Sequence, residues 1–184
     1  MSFEIIHFRG ADEILKKKSM ISDVAMTMEY IYDSLEGSLY RGELLRCALD
    51  DLGWRENGTL NILDGRRYMY KGFKHGVAID GSFSAYEFLI CGMARLQIGF
   101  DKGSIEAGIL MLTAKRSEKS PYGSTVDMVK SEVELLYPTI SLPVSVALFD
   151  LGKPDLHTEE ENNGVSIQTN DNPGVEEAVS GQSI

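Results

Sequence analysis

The sequence predicts an α/β fold, a mixed β-sheet flanked by helices, on three observations. Two early stretches repeat apolar residues at helical spacing, the middle and end hold short apolar β-prone runs, and helical stretches separate the later runs. In chain order, Ser19 stands where it can cap a helix running to Leu35 through Met20, Val24, Met28 and Ile31. A second helix is predicted from Gly42 to Leu52, with Leu45, Ala48 and Leu49 on one side and Gly53 just past its end. Trp54 then closes that helix end against the sheet. Leu60–Leu63, Arg67–Tyr70 and Gly76–Asp80 are short, β-prone and separated by Asp64-Gly65, Lys71-Gly72 and His75-Gly76, which predicts a meander of three strands. Ser84 with Glu87 three residues on is a capping box that opens a helix to Ile98. Ser104–Thr113 reads as a strand, Thr125–Leu136 as a helix and Leu142–Phe149 as the last strand. The sequence shows no internal repeat.

At 184 residues and 43% hydrophobic content, the chain can enclose one sizeable core. That core is assigned to residues 1–158. Residues 159–184 are rich in Glu, Asn, Ser, Gly and Thr and hold no aromatic residue, and they are predicted to be a disordered acidic tail. No apolar run approaches the length of a bilayer span, and Phe3–Phe8 is too short and mixed for a targeting segment. Cys47 and Cys91 both fall in apolar helical patterns, so a disulfide framework is not expected. These features predict a soluble protein of the reducing cytoplasm, with no membrane partner.

A formal charge of −10 argues at first against a nucleic-acid partner. The charge is unevenly placed. From Lys153 onward seven acids face one lysine, which is −6 of the −10 and leaves −4 for the first 152 residues. Three basic stripes remain as candidates for phosphate contact: Lys16-Lys17-Lys18, Arg66-Arg67 with Lys71 and Lys74, and Lys115-Arg116 with Lys119.

No P-loop, dinucleotide glycine fingerprint, nucleophile elbow or zinc-spaced Cys/His pair is present, which removes those classes. His7, His75 and His157 are scattered and read as ordinary polar residues. Met26, Met28 and Met93 read as core filling. Asp80 is different. It closes the apolar run Val77-Ala-Ile beside Gly81, where a buried carboxylate is costly without a partner.

From Gly37 to Lys153 the chain resembles the BglII/BstYI family of type II restriction endonucleases, which cleave palindromic DNA sites with a GATC core. The resemblance lies in Leu44–Trp54, in Phe73-Lys-His-Gly-Val-Ala-Ile-Asp80-Gly-Ser82-Phe83 against the family strand Val-Ala-Ile-Glu-x-Gln-Phe, and in Ser104–Leu110 and Leu142–Phe149. It implies a restriction-endonuclease-like PD-(D/E)xK core, duplex DNA as partner, a homodimer and Mg²⁺ as cofactor.

The departures fall on the chemistry. Where the family has an upstream Asp, a Glu and a Gln, this chain has Lys71, Asp80 and Ser82. Mg²⁺ takes hard oxygen ligands, and a charged lysine offers no lone pair. An ammonium ~4 Å from Asp80 would gain ~4 kcal/mol of gross Coulomb attraction at an intermediate dielectric and stand in for the metal. The resemblance therefore implies duplex binding with weak or no cleavage. Two alternatives stay open: an active nuclease in which Asp64 or Glu106 joins Asp80 as metal ligand, with Glu87 better used as a cap, and a non-catalytic protein-interaction module whose acidic tail is an autoinhibitory or DNA-mimicking arm. Ser117–Ser124 is the candidate loop for reading base edges.

Overall fold

Asp80 lies on an inner strand of a five-stranded sheet whose inner strands are buried along almost their whole length. The computed structural model describes residues 3–56, 60–83, 88–114 and 125–152. In chain order they form β1 (Phe3–Phe8), α1 (Ala11–Lys17), α2 (Ile21–Leu35), α3 (Arg41–Asp51), β2 (Gly72–Lys74), β3 (Val77–Ser82), α4 (Phe88–Asp101), β4 (Ala107–Thr113), α5 (Val126–Leu135) and β5 (Val144–Phe149). The sheet order is β1-β5-β4-β3-β2, with β3, β4 and β5 parallel and the two edge strands antiparallel to their neighbours. Continuous apolar runs suit strands covered on both faces.

Strand alternation divides the core in two. Ala78, Leu110, Leu112, Val144 and Val146 face α4 and α5. Val77, Ile79, Ile109, Met111 and Phe149 face the α1–α3 layer and Trp54. Asp80, two residues from Ala78, therefore points to the α4 side. Trp54 is fully buried in the core on the Val77 and Ile79 side of the sheet, and its Nε1 donates to Thr27 Oγ1 at 2.9 Å, which also ties the end of α3 to α2.

The structure corrects several sequence expectations. Ser19 has φ +57 and does not cap α2, whose first turn starts from Met20 with no side-chain cap. The runs 60–63 and 67–70 form a single bridge, Asn61 to Met69, with backbone bonds Ile62 N to Tyr68 O and Tyr70 N to Leu60 O. Their apolar residues fill the core as a loop, and the ladder goes no further. The hairpin is instead β2–β3, turned at His75 and Gly76, whose φ values of +50 and +79 fit a two-residue turn with both central residues left-handed. Met26 is 56% exposed rather than core filling, and both cysteines are free and exposed. The Ser84–Glu87 capping box, the Ser117–Ser124 loop, the Lys115-Arg116-Lys119 stripe and the tail lie outside the described residues. Among the described residues no helix is long and apolar enough to cross a membrane.

Candidate functional site

Asp80 is fully buried, and its partner is Arg95 of α4. Arg95 Nε reaches Oδ2 at 2.5 Å and Nη2 reaches Oδ1 at 3.2 Å, a bidentate pair, while Gly81 N donates to Oδ1 at 2.8 Å. Three of the roughly four lone-pair positions of the carboxylate are thus occupied. The bond to Asp80 pushes the Arg95 pKa further up against partial desolvation, so the guanidinium stays charged.

Glycines on α4 bring this arginine to the carboxylate. Gly92, Arg95 and Gly99 fall at i, i+3 and i+7, on one helix face. A Cβ at Gly92 would stand 2.4 Å from Leu110 Cδ1, and Leu110 is the registered partner of Asp80 on β4. A Cβ at Gly99 would fall 1.7 Å from Tyr70 Oη. The helix therefore rides close on the sheet beside Asp80, and Arg95 spans the gap. Gly81, at φ +133, is required by the strands themselves, since a Cβ there would meet Met111 O at 2.1 Å. Tyr70 closes the floor. Its hydroxyl is buried without a hydrogen-bond partner among the described residues, and burial together with the Asp80 charge pushes its pKa up to about 12. A phenol held neutral in this way is no general base at ordinary pH.

Beside the pair lies a cleft built of three hollows that share Lys71. One of about 230 Å³ is lined by Arg67, Tyr68, Lys71, Asp80, Ser82 and Arg95. Another of about 350 Å³ adds Ser38, Arg41 and Phe83, and a third of about 360 Å³ adds Arg46 and Arg55. Six cations thus line the cleft of a chain whose overall charge is negative. Arg55 and Arg46 share Asp50, and Arg55 Nη1 also donates to Lys71 O at 2.7 Å. Lys71 N donates to Ile79 O, so its main chain is pinned on both sides. Its exposed ammonium has no ion pair among the described residues.

No family model and no curated protein matches this chain in sequence. Among solved structures, restriction endonuclease BglII in complex with a DNA 16-mer aligns with a TM-score of 0.60 and 13% identity, over 82% of this chain and 77% of that one. Free BglII aligns with a TM-score of 0.54 and 16% identity, over 81% and 79%. The chain has a BglII-like nuclease fold.

On that BglII-like scaffold the sequence-predicted residues are sorted by geometry. Asp80, Ser82 and Lys71, the positions that the family resemblance singled out, line one hollow. The expected Lys71–Asp80 contact is corrected, because the cation on Asp80 is Arg95. Asp64 sits exposed on the turn between Leu63 and Arg66 and is not part of the cleft lining. Glu106 pairs with Lys18 at 2.5 Å and bonds to Gly76 O through its backbone, level with the start of β3. That is about 13 Å of strand rise from Asp80. Lys16 pairs with Asp12, and Lys74 pairs with Asp23 and lies 5.8 Å from the Trp54 ring centroid, so these two lysines are taken up by the scaffold, whereas Arg67 and Lys71 of the second stripe line the cleft.

Among the described residues, those around Asp80 do not gather a ligand set for Mg²⁺. A divalent ion at Asp80 would have to displace a bidentate guanidinium, and among the described residues no three His, Cys, Asp or Glu side chains gather. Arg95, Arg41, Arg46 and Arg55 escaped the sequence reading. For Arg95 a signal existed: one charge in the otherwise apolar run Leu89–Leu96, flanked by glycines at helical spacing.

Proposed function

We propose that this chain binds duplex DNA through the Lys71 cleft and does not cleave it by a metal-dependent route. The bidentate Arg95–Asp80 pair carries the reading. It fills the carboxylate at the strand end with a cation supplied by the protein and leaves Arg67 and Lys71 beside it. Phosphate oxygens are the complementary ligand for such a cleft, and the BglII-like fold supplies the duplex as substrate class. Two such chains on a twofold DNA site would form a homodimer, and two exposed free thiols suit the cytoplasm.

Fluorescence anisotropy with a short mixed-sequence duplex tests the binding. Affinity is expected to fall steeply with salt, because phosphate contacts release counterions. Affinity that stays flat between low and moderate salt would overturn this route. Incubating the protein and its Asp80→Asn variant with plasmid in Mg²⁺ or Mn²⁺ tests the chemistry. No cleavage by either is expected, whereas fragments produced by the wild type and lost in the variant would refute the reading.

A further inference from the structure

We infer that the acidic segment after Gly152 docks in the basic cleft of its own chain and competes there with nucleic acid. This rests on the reading of the cleft as a polyanion site, and three observations support it. First, the described chain ends on the wall of the cleft. Arg41, which lines the hollow shared with Lys71 and Ser82, donates through Nη2 to Leu151 O at 3.1 Å and to Gly152 O at 2.7 Å. Gly37 N adds a bond to Leu151 O at 3.0 Å, and Leu151 is fully buried. Whatever follows Gly152 therefore starts from a fixed point on the rim.

Second, charges are segregated between cleft and continuation. Arg41, Arg46, Arg55, Arg67, Lys71 and Arg95 face three acids in the cleft lining and its neighbouring hollow, Asp50, Glu56 and Asp80. Residues 153–184 carry −6, with Glu159-Glu160-Glu161 as the densest run. Third, that run is within reach. Six residues separate Gly152 from Glu159, and the extended stretch between them spans at most about 25 Å, whereas Arg41 and Lys71 line the same hollow. A short tether of this kind gives an effective concentration on the order of millimolar, so contacts too weak to hold a free peptide still occupy the site. The segment after Gly152 has no aromatic residue and repeated carboxylates, so its affinity is electrostatic and falls as salt shortens the Debye length.

Zero-length carbodiimide cross-linking of the full chain, read by peptide mass spectrometry, tests the docking without DNA. Links from Lys71 to Glu159, Glu160 or Glu161 are expected at low salt and are expected to vanish at about 0.5 M salt. Links spread evenly over Lys16, Lys17, Lys18 and Lys71, or none to Lys71, would overturn the inference. In parallel, the full-length variant Glu159→Gln/Glu160→Gln/Glu161→Gln is expected to bind a short duplex about three- to tenfold more tightly at low salt. Equal affinity would count against competition. Lys71 links with no duplex binding by either protein would instead sink the DNA reading and leave the docking standing.

Discussion

Replacing Arg95 by Met removes the cation of the Asp80 pair while keeping an unbranched side chain on α4. The Asp80 side chain is 1% exposed and cannot turn to water, whereas that of Arg95 is 31% exposed and opens on the cleft. Breaking a buried pair from one side costs about 3–5 kcal/mol, because the remaining charge is stranded. Water entering the vacated side of the cleft relieves part of this, so the lower end, about 3 kcal/mol, is expected for Arg95→Met. Asp80→Asn should cost less, about 1–1.5 kcal/mol, since the released guanidinium already borders solvent. With both replaced, nothing charged is left buried, and the double variant should be more stable than the sum of single effects by about 2 kcal/mol. Urea unfolding followed by far-ultraviolet circular dichroism measures all three against the wild type. A loss under about 1 kcal/mol for Arg95→Met, together with additivity within about 0.5 kcal/mol, would show that the pair does not hold the carboxylate in solution.

Tyr70→Phe removes a buried hydroxyl that has no partner among the described residues and should stabilise the protein by about 1 kcal/mol at neutral pH, read by thermal melting. The same substitution has a pH signature. Because the folded pKa of Tyr70 is raised from 10.0 to about 12, its contribution is fully present below pH 10 and is lost as pH rises to 12, so the wild type should lose about 2–3 kcal/mol relative to the variant in that window. Gly99→Ala should cost about 1–3 kcal/mol, because its Cβ would strike Tyr70 Oη, and adding Tyr70→Phe should recover much of it; equal costs in both backgrounds would argue against the close approach of α4. Arg67→Ala and Lys71→Ala should each reduce the slope of log affinity for duplex DNA against log salt by about 1, with little effect on stability; an unchanged slope would remove that residue from the phosphate-binding surface.

The sequence made most of the sheet legible because its inner strands are continuous apolar runs, and two observed helices, α2 and α3, carry clean helical periods. It misled where local pattern and tertiary packing diverge. Leu60, Ile62 and Tyr70 look like strand residues because they are buried, yet they are buried from a loop. Phe3–Phe8 mixes exposed and buried positions as an edge strand does, so the run alone did not reveal β1 or its pairing with β5. At the site, Asp80 stood out as an acid closing an apolar strand, and Lys71 and Ser82 were named through the family resemblance aligned on it. Arg95 comes from an element fifteen residues on, and only packing brings it to the carboxylate. A spacing argument sees neighbours along the chain, and the decisive contact here crosses from helix to sheet.

On the proposed reading, that contact also lets this fold keep its buried carboxylate without a metal. A carboxylate buried at the end of β3 is tolerable only with a positive partner, whether a divalent ion from solution or a guanidinium from the chain. The two solutions differ in what they ask of α4. A metal needs several converging oxygens and an open coordination position, while Arg95 needs a helix close enough for one side chain to span the gap. Gly92 and Gly99 provide that closeness directly beside Asp80. With the guanidinium seated, the charge on Asp80 is balanced from within the chain. On the proposed reading, what remains for Arg67 and Lys71 is attraction for an external anion, with DNA binding and catalysis separated at a single residue of α4.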